Sequence, residues 1–263
     1  MQPGPVWVIT GASRGIGAEF VQQILANEQA VVIAGARSPD SSKELQELHE
    51  LHSERLHLVP LDVASTSSIQ AAVKLVTALP GITSIDYLIN NAGRSDPCQS
   101  RSETAESLRQ TLEVHVVGVH TMIQAFLPLL QAGHKKTVVN ISSSFASLSA
   151  RYDQYAKRKE EPSIMTSVSL GYKTSKAALN MLTLSWASDV TPEEGFTFVA
   201  IHPGSVETDM NNATFGAWKL PKKIYDLRLT PTDSVKQVLG VIAKLTPQDS
   251  GRYLNFDGNT FPY

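Results

Sequence analysis

A tyrosine and a lysine lie four residues apart in the segment GYKTSKAALNML, residues 171–182. The segment has the pattern of an amphipathic helix, in which residues i and i+4 lie one turn apart on the same face. Tyr172 and Lys176 would therefore place a phenol beside an ammonium. A nearby positive charge stabilises a phenolate and lowers the pKa of the phenol, which suits a proton donor. For a lone motif, a surface pair without a chemical role is the ordinary alternative.

A glycine-rich turn follows the first apolar segment of the chain. The segment VWVIT, residues 6–10, runs directly into TGASRGIG, residues 10–17, before a predicted helix. Glycine permits a tight turn and close backbone approach, and the helix N-terminus offers free N–H groups to a pyrophosphate. This context predicts a dinucleotide site, although a glycine turn alone can be only a tight connection. The predicted cofactor contacts in this turn are Gly11, Ser13, Arg14, Gly15, Ile16 and Gly17.

The end of the second apolar segment indicates which dinucleotide is bound. An acidic residue there accepts hydrogen bonds from the ribose 2′-OH of NAD, whereas an arginine pairs with the 2′-phosphate of NADP. In this chain Ala36 is followed by Arg37, and no Asp or Glu ends the segment. Arg14 is a second cation that could reach the same phosphate. The pattern predicts NADP(H) over NAD(H), and two solvated arginines are the alternative.

Short apolar segments alternate with helical patterns along the chain. The segments are rich in Val and Ile and mostly do not alternate, which is typical of strands buried on both faces. The predicted strands are 6–10, 30–36, 56–62, 85–90, 137–142, 196–202 and 252–256. The predicted helices are 15–27, 42–53, 65–79, 102–131, 172–188 and 232–245. We expect one α/β domain over residues 1–263, a doubly wound Rossmann-type parallel sheet of about seven strands with helices on both faces.

Two segments, 149–169 and 205–231, interrupt this alternation and exceed the usual loop lengths. Loops at the carboxyl ends of parallel strands are where ligands bind in this architecture. We therefore expect both to border a substrate site, with surface excursions as the alternative. An apolar, aromatic lining of this pocket would come from Phe145, Met210, Phe215, Trp218 and Tyr225. The alternative is that these side chains only cover the edge of the sheet.

Composition excludes several other classes of protein. Hydrophobic residues make up 42% and charged residues 18%, as in ordinary globular domains, and the net charge of −2 does not favour nucleic acid or an acidic membrane. Cys98 is the single cysteine, so neither an internal disulfide nor a metal site is expected. The chain starts without a secretory signal pattern and has no run of 18 apolar residues. These features predict a cytoplasmic protein with no membrane segment and no metal.

Five segments, in this order, resemble the short-chain dehydrogenase/reductase family over essentially the whole length. They are TGASRGIG at 10–17, NNAG at 90–93, NISSS at 140–144, YKTSK at 172–176 and HPGSVETDM at 202–210. Within the family, the chain is similar to NADPH-dependent carbonyl reductases and fungal ketoreductases. Each motif alone is weak, but their combination and order are specific.

The resemblance implies roles for individual side chains. Tyr172 is the proton donor to a carbonyl oxygen, and Lys176 holds the nicotinamide ribose and lowers the pKa of the tyrosine. Ser143 donates a hydrogen bond to the substrate oxygen, with Ser142 and Ser144 as rivals. Asp62 lies near the adenine. The other implied cofactor contacts are Asn90, Asn91, Ala92 and Gly93 near the adenosine ribose and central strand, Pro203, Gly204 and Thr208 near the nicotinamide amide, and Val206.

Two features depart from the family pattern. His115, in LEVHVVG, stands where many members have an asparagine that holds a water through its main-chain carbonyl. Either histidine keeps this proton relay or it only packs in the helix. Ser143 and Tyr172 are also 29 positions apart, about twice the commoner spacing, because of the insertion around 149–169. A similar but longer insertion blocks the helix face used for tetramer formation in monomeric carbonyl reductases, so a monomer or homodimer is expected over a tetramer.

The expected activity is NADPH-dependent reduction of a ketone or aldehyde to an alcohol, with a bulky, apolar small-molecule substrate. An NADP-dependent alcohol dehydrogenase working in the reverse direction uses the same residues. A non-catalytic NADP-binding sensor is the alternative from another class. His115 permits it, but a sensor would be expected to have lost Ser143, Tyr172 or Lys176.

Overall fold

A parallel sheet forms the centre of the computed structural model, which describes residues 4–157, 159, 169–190, 192–218 and 226–263. Its seven strands lie in the order β3-β2-β1-β4-β5-β6-β7. The strands are β1 Val6–Thr10, β2 Val31–Ala36, β3 Leu56–Pro60, β4 Tyr87–Asn90, β5 Thr137–Ile141, β6 Thr197–His202 and β7 Tyr253–Asn255. The predicted doubly wound α/β fold is therefore confirmed.

Helices cover both faces of this sheet. They are α1 Gly15–Leu25, α2 Lys43–His52, α3 Thr66–Thr77, α4 Ala105–Leu112, α5 Gly118–Ala132, α6 Leu148–Ala156, α7 Leu170–Asp189, α8 Asp209–Trp218 and α9 Pro231–Ile242. Serine and threonine start several of them. For example, the Ser65 side chain accepts a hydrogen bond from the Ser68 N–H, and the Thr230 side chain accepts one from the Asp233 N–H.

Two apolar clusters fill the space between sheet and helices. One cluster includes Phe20 of α1 and Val238 of α9, and the other includes Phe126 of α5 and Leu179 of α7. Every residue of β1, β4 and β5 is buried, because helices cover these strands on both sides. This burial explains the continuous Val and Ile runs in the sequence.

The predicted single helix over 102–131 is wrong in detail. A π-helical turn, Glu113–Val117, separates α4 from α5. By length and composition alone, the stretch Ala105–Ala132 is apolar enough to cross a membrane. Its residues Met122, Ile123 and Phe126 instead pack in the core, so its hydrophobicity is explained by burial against the sheet.

Both long segments contain a helix where the sequence analysis expected loops. The described part of 149–169 includes most of α6. Ser147 is the N-cap of this helix, and its side chain accepts a hydrogen bond from the Ala150 N–H. The segment 205–231 includes α8. Serine and threonine are good helix starters, a signal that the polar composition of these segments concealed.

The strand order reverses between β1 and β4, which makes this the topological switch point of the sheet. In open α/β sheets, ligands bind in the crevice outside the carboxyl ends of the strands at this point. The glycine turn after β1 and the NNAG segment after β4 both lie there.

Candidate active site

The glycine turn after β1 has a backbone that only glycine accommodates. Gly11 has a φ of +66° and Gly15 a φ of +58°. A Cβ atom at Gly11 would lie 2.7 Å from the Cα of Ala92, and one at Gly17 would lie 2.1 Å from the carbonyl oxygen of Gly11. The absence of side chains lets the turn, the start of α1 and the segment after β4 approach closely, as in a dinucleotide-binding turn, so these residues fit a dinucleotide.

Two side chains hold this turn in place, one at the end of β1 and one directly after β4. The Thr10 hydroxyl oxygen accepts hydrogen bonds from the N–H groups of Asn91 and Ala92, both at 3.0 Å. The Asn91 amide donates to the carbonyl oxygens of Thr10 and Gly11, at 3.0 and 3.2 Å. Asn90 donates to Asn140 across the sheet at 2.9 Å. Asn91 therefore supports the cofactor cradle with its amide nitrogen, a role that the sequence analysis did not identify.

The two predicted phosphate-binding arginines have different surroundings. Arg37 is exposed directly after β2. Arg14 precedes α1 and forms an ion pair with Asp209 of α8 at 3.5 Å, with side chains 71% and 76% exposed. Exposed ion pairs of this kind contribute little to stability, so Arg14 can leave Asp209 and bind a phosphate at a small cost in free energy. The carboxylate of Asp62 accepts a hydrogen bond from the Ala64 N–H beyond β3.

The loop after β6 lies against the glycine turn. A Cβ atom at Gly15 would lie 3.3 Å from the methyl group of Thr208. The Pro203 carbonyl oxygen accepts a hydrogen bond from the buried Ser234 hydroxyl at 2.6 Å, and Gly204 has a φ of +87°. Val206 is buried. The predicted nicotinamide-side residues therefore adjoin the predicted phosphate-side residues.

Ser143, Tyr172 and Lys176 converge between β5 and α7. The Ser143 side chain lies close enough to Tyr172 to favour the phenolate and so to lower the pKa of Tyr172. The Lys176 ammonium donates to the Ile141 carbonyl oxygen at 2.6 Å and lies 5.7 Å from the centroid of the Tyr172 ring. Helix α7 therefore aims a phenol and an ammonium at the carboxyl end of β5, as the four-residue spacing requires.

The titration behaviour of this group differs from our expectation. Burial raises the pKa of Tyr172, and the nearby Ser143 side chain opposes this only partly. Burial also lowers the pKa of Lys176 to about 7. The prediction that Lys176 lowers the tyrosine pKa is therefore not seen here, because both groups lose more hydration than they recover from each other.

The geometry distinguishes the three candidate serines. The Ser142 hydroxyl is buried and donates to the Asn180 side-chain oxygen at 2.6 Å. Ser144 begins a 3₁₀ turn, Ser144–Ala146, whereas the Ser143 side chain lies close enough to Tyr172 to lower the pKa of that tyrosine. The Tyr253 hydroxyl donates to the Ser143 carbonyl oxygen at 2.5 Å and so fixes its backbone. Nothing in the sequence pattern of the edge strand β7 indicated this contact.

His115 uses both ring nitrogens for structural hydrogen bonds. Its Nε2 accepts from the Arg94 N–H at 3.0 Å, so a neutral ring carries its proton on Nδ1, which lies 2.7 Å from the Ser175 hydroxyl oxygen. That hydroxyl donates to the carbonyl oxygen of Tyr172 at 2.9 Å. The ring is fully buried, and burial, with Lys176 and Arg94, holds its pKa well below the usual value.

These contacts favour a packing role for the His115 imidazole over a role in proton transfer. The peptide of His115 lies in the π-helical turn, a distortion that often marks functional sites. The residue therefore joins the loop at 94 to the helix that carries Tyr172. A water-holding role of its main-chain carbonyl stays a prediction.

A glutamate that the sequence analysis missed caps the start of α7. Ser169 precedes the helix in a left-handed conformation, with a φ of +55°, and its side chain makes no capping hydrogen bond. The Glu103 carboxylate accepts a hydrogen bond from the Gly171 N–H at 2.9 Å instead. A Cβ atom at Gly171 would lie 2.3 Å from that carboxylate. Glu103 therefore holds the turn that carries Tyr172, and a side chain at position 171 would displace the Glu103 carboxylate.

The predicted aromatic pocket is only partly defined. The ring of Phe145 meets the ring of Tyr172 edge to face, with centroids 6.4 Å apart. Met210 is partly exposed on α8. Tyr225 and the side chains of Phe215 and Trp218 lie outside the described part of the chain. Within that part, no group of three or more His, Cys, Asp or Glu side chains is arranged to hold a metal ion.

Comparison with known proteins places this geometry in context. The model of the short chain dehydrogenase family matches residues 5–157 and 162–217. An uncharacterized oxidoreductase of Schizosaccharomyces pombe is 32% identical, covering 98% of each chain, and the short chain dehydrogenase gsfK of Penicillium aethiopicum is 33% identical, covering 96% of each. The structure of an NADPH-bound carbonyl reductase from chicken fatty liver superposes with a TM-score of 0.82, at 33% identity over 99% of each chain.

Proposed function

The chain belongs to the short-chain dehydrogenase family and is an oxidoreductase, and on this premise we propose that it reduces a ketone or aldehyde to an alcohol with NADPH. The observation that carries this proposal is that Ser143, Tyr172 and Lys176 lie together at the carboxyl end of β5. The glycine turn follows β1 at the same edge of this parallel sheet, so two hydrogen-bond donors and a cation share that edge with the predicted phosphate site. A sensor would not need this arrangement.

The side chains have separable roles in the proposed reaction. NADPH, when bound, supplies the hydride. Ser143 and Tyr172 donate hydrogen bonds to the carbonyl oxygen, and Tyr172 gives up its proton as negative charge develops there. Lys176 binds the nicotinamide ribose and offsets the charge left on the phenolate. The raised pKa of Tyr172 favours the protonated phenol that reduction requires.

Three observations support NADP(H) over NAD(H). Arg37 follows β2 in place of an acidic residue, and Arg14 lies at the start of α1. Both side chains are exposed and can pair with a 2′-phosphate. The similar chicken carbonyl reductase is described as NADPH-bound. We further propose a bulky, apolar substrate, a monomer or homodimer and a cytoplasmic location.

A panel of carbonyl compounds tests the proposed activity. Purified protein is incubated with NADPH or NADH and with aromatic ketones, quinones and small sugars, and absorbance of the reduced nicotinamide is followed. Turnover of ketones with NADPH supports the proposal. Turnover of alcohols alone, with NADP⁺, favours the reverse reaction, and NADPH binding without any turnover favours a sensor.

The Tyr172→Phe variant identifies the proton donor. It keeps the ring that packs against Phe145 but removes the hydroxyl, so reduction should fall by at least about 100-fold. Binding of NADPH, measured by fluorescence, should persist. Strong residual turnover would contradict the role of Tyr172, whereas loss of NADPH binding would indicate a damaged fold.

A further inference from the structure

An arginine with unused hydrogen-bonding capacity lies over the ring of Phe145, which contacts the proposed catalytic tyrosine. Arg151 belongs to α6, in the insertion that separates Ser143 from Tyr172. Its Nε and Nη1 atoms are buried and have no hydrogen-bond partner among the described residues. Its remaining nitrogen, Nη2, is not among these shielded atoms. Buried donors are normally paired, and an unpaired guanidinium is an expensive exception that requires an explanation.

The surroundings place this guanidinium close to the reacting groups. The Arg151 Cζ atom lies 5.0 Å from the centroid of the Phe145 ring, and the centroid of the Tyr172 ring lies 6.4 Å from it. The Lys173 ammonium lies 5.4 Å from the same Phe145 centroid. The Phe145 ring therefore contacts both the guanidinium and the ring of the proposed catalytic tyrosine, and the Lys173 ammonium lies over the same ring.

Among the described residues, two cations lie close together at this position. Arg151 and Lys173 repel each other, and burial together with the Arg151 charge lowers the pKa of Lys173 to about 8. No salt bridge to Arg151 occurs within the described ranges, although Asp153 lies on the same helix. A guanidinium presents a planar pair of donors that matches a carboxylate.

We propose that Arg151 binds a carboxylate on the substrate, so that the enzyme prefers ketones carrying an acid group about one aromatic ring away from the carbonyl. This inference rests on the proposed reductase function and narrows its substrate class. The carboxylate approaches Nη2 and takes Nη1 after a small rotation of the side chain. The apolar ring between acid and carbonyl lies against Phe145.

A matched pair of substrates tests this preference. The value of kcat/KM is measured with 4-acetylbenzoate and with its methyl ester, which differ in charge but share the ketone and the ring. A charged hydrogen-bonded pair corresponds to about 10- to 100-fold in affinity. The wild type should therefore favour the acid by at least about 10-fold. An equal or lower value for the acid overturns the proposal without any variant.

Variants assign the preference to Arg151. In Arg151→Met the ratio of acid to ester should fall to about one. Lys157→Met, which removes an exposed charge from the end of the same helix, should retain the wild-type ratio. If Arg151→Met does not fold, Arg151→Gln is measured instead. A variant that folds and keeps the acid preference contradicts the proposal.

A binding measurement separates this proposal from the proposed function. Calorimetric titration of 4-acetylbenzoate into the protein with NADP⁺ should show binding that Arg151→Met weakens by about 10-fold or more. Failure to reduce either compound, with this binding intact, refutes the reductase and leaves the carboxylate site standing. Reduction of the ester without an acid preference refutes only the carboxylate site.

Discussion

Replacing Lys176 with methionine should stabilise the protein and abolish its activity. Lys176 is only 5% exposed, and within the described part of the chain its ammonium donates one hydrogen bond, to the Ile141 carbonyl oxygen. Burial lowers its pKa from 10.5 to about 7. A shift of this size means that folding with a charged lysine costs about 5 kcal/mol, at about 1.4 kcal/mol per pKa unit.

Because the pKa of Lys176 is lowered on folding, the free energy of unfolding should increase with pH. Between pH 7 and 10.5 the unfolded chain binds more protons at this lysine than the folded protein does, so stability rises with pH. The cost is full below pH 7 and disappears above 10.5. From pH 6 to pH 9 it falls by roughly 3 kcal/mol.

Urea unfolding of the wild type and of Lys176→Met at pH 6, 7.5 and 9 measures this effect. At pH 6 the variant should be more stable by about 3–4 kcal/mol, since it avoids the charge penalty but leaves the Ile141 carbonyl oxygen unpaired. The advantage should shrink toward pH 9. Lys74→Met, at an exposed lysine of α3, is the control and should show no such trend. A Lys176→Met variant less stable than the wild type at pH 6 would refute this reasoning.

Three further substitutions address the other site residues. Arg37→Asp should shift the ratio of kcat/KM values from NADPH toward NADH by about 10-fold or more, because it exchanges a phosphate-binding cation for a carboxylate. An unchanged ratio would reject the role of Arg37. His115→Asn should lower the free energy of unfolding by about 1–3 kcal/mol, because a buried hydrogen bond is lost. The pH profile of kcat should keep its shape, because the buried imidazole of the wild type stays neutral. A displaced profile would support the proton-relay role of His115. Glu103→Ala should destabilise the start of α7 by about 1–2 kcal/mol and reduce kcat, whereas equal stability and turnover would show that the contact with Gly171 is unimportant.

The sequence predicted the strands well because burial on both faces leaves a strong pattern. Runs such as VWVIT and TVVNI have no polar face, and the structure buries all their residues. It failed where a local signal was hidden in polar composition. The start of α6 at Ser147 is a capping serine within a run of serines, and the π-helical turn at Glu113–Val117 has no pattern that separates it from an α-helix.

The candidate site also combines features that local sequence predicts with features that depend on distant contacts. The glycine turn and the spacing of Tyr172 and Lys176 are local, because φ angles and helix geometry depend on neighbours in the chain. They could therefore be predicted from the sequence. The choice of Ser143 over Ser142 depends on Asn180, which lies on another element and takes the Ser142 hydroxyl.

The sequence by itself therefore determined the fold class, the phosphate-binding turn and the pair on α7, because each depends on periodicity or on backbone freedom over a few residues. Tertiary structure decided the protonation of Tyr172 and Lys176, because desolvation depends on everything packed around them. It also decided that Glu103, 68 residues away, caps the helix that carries Tyr172. No spacing rule in the sequence predicts such a contact, since only folding brings Glu103 and Gly171 together.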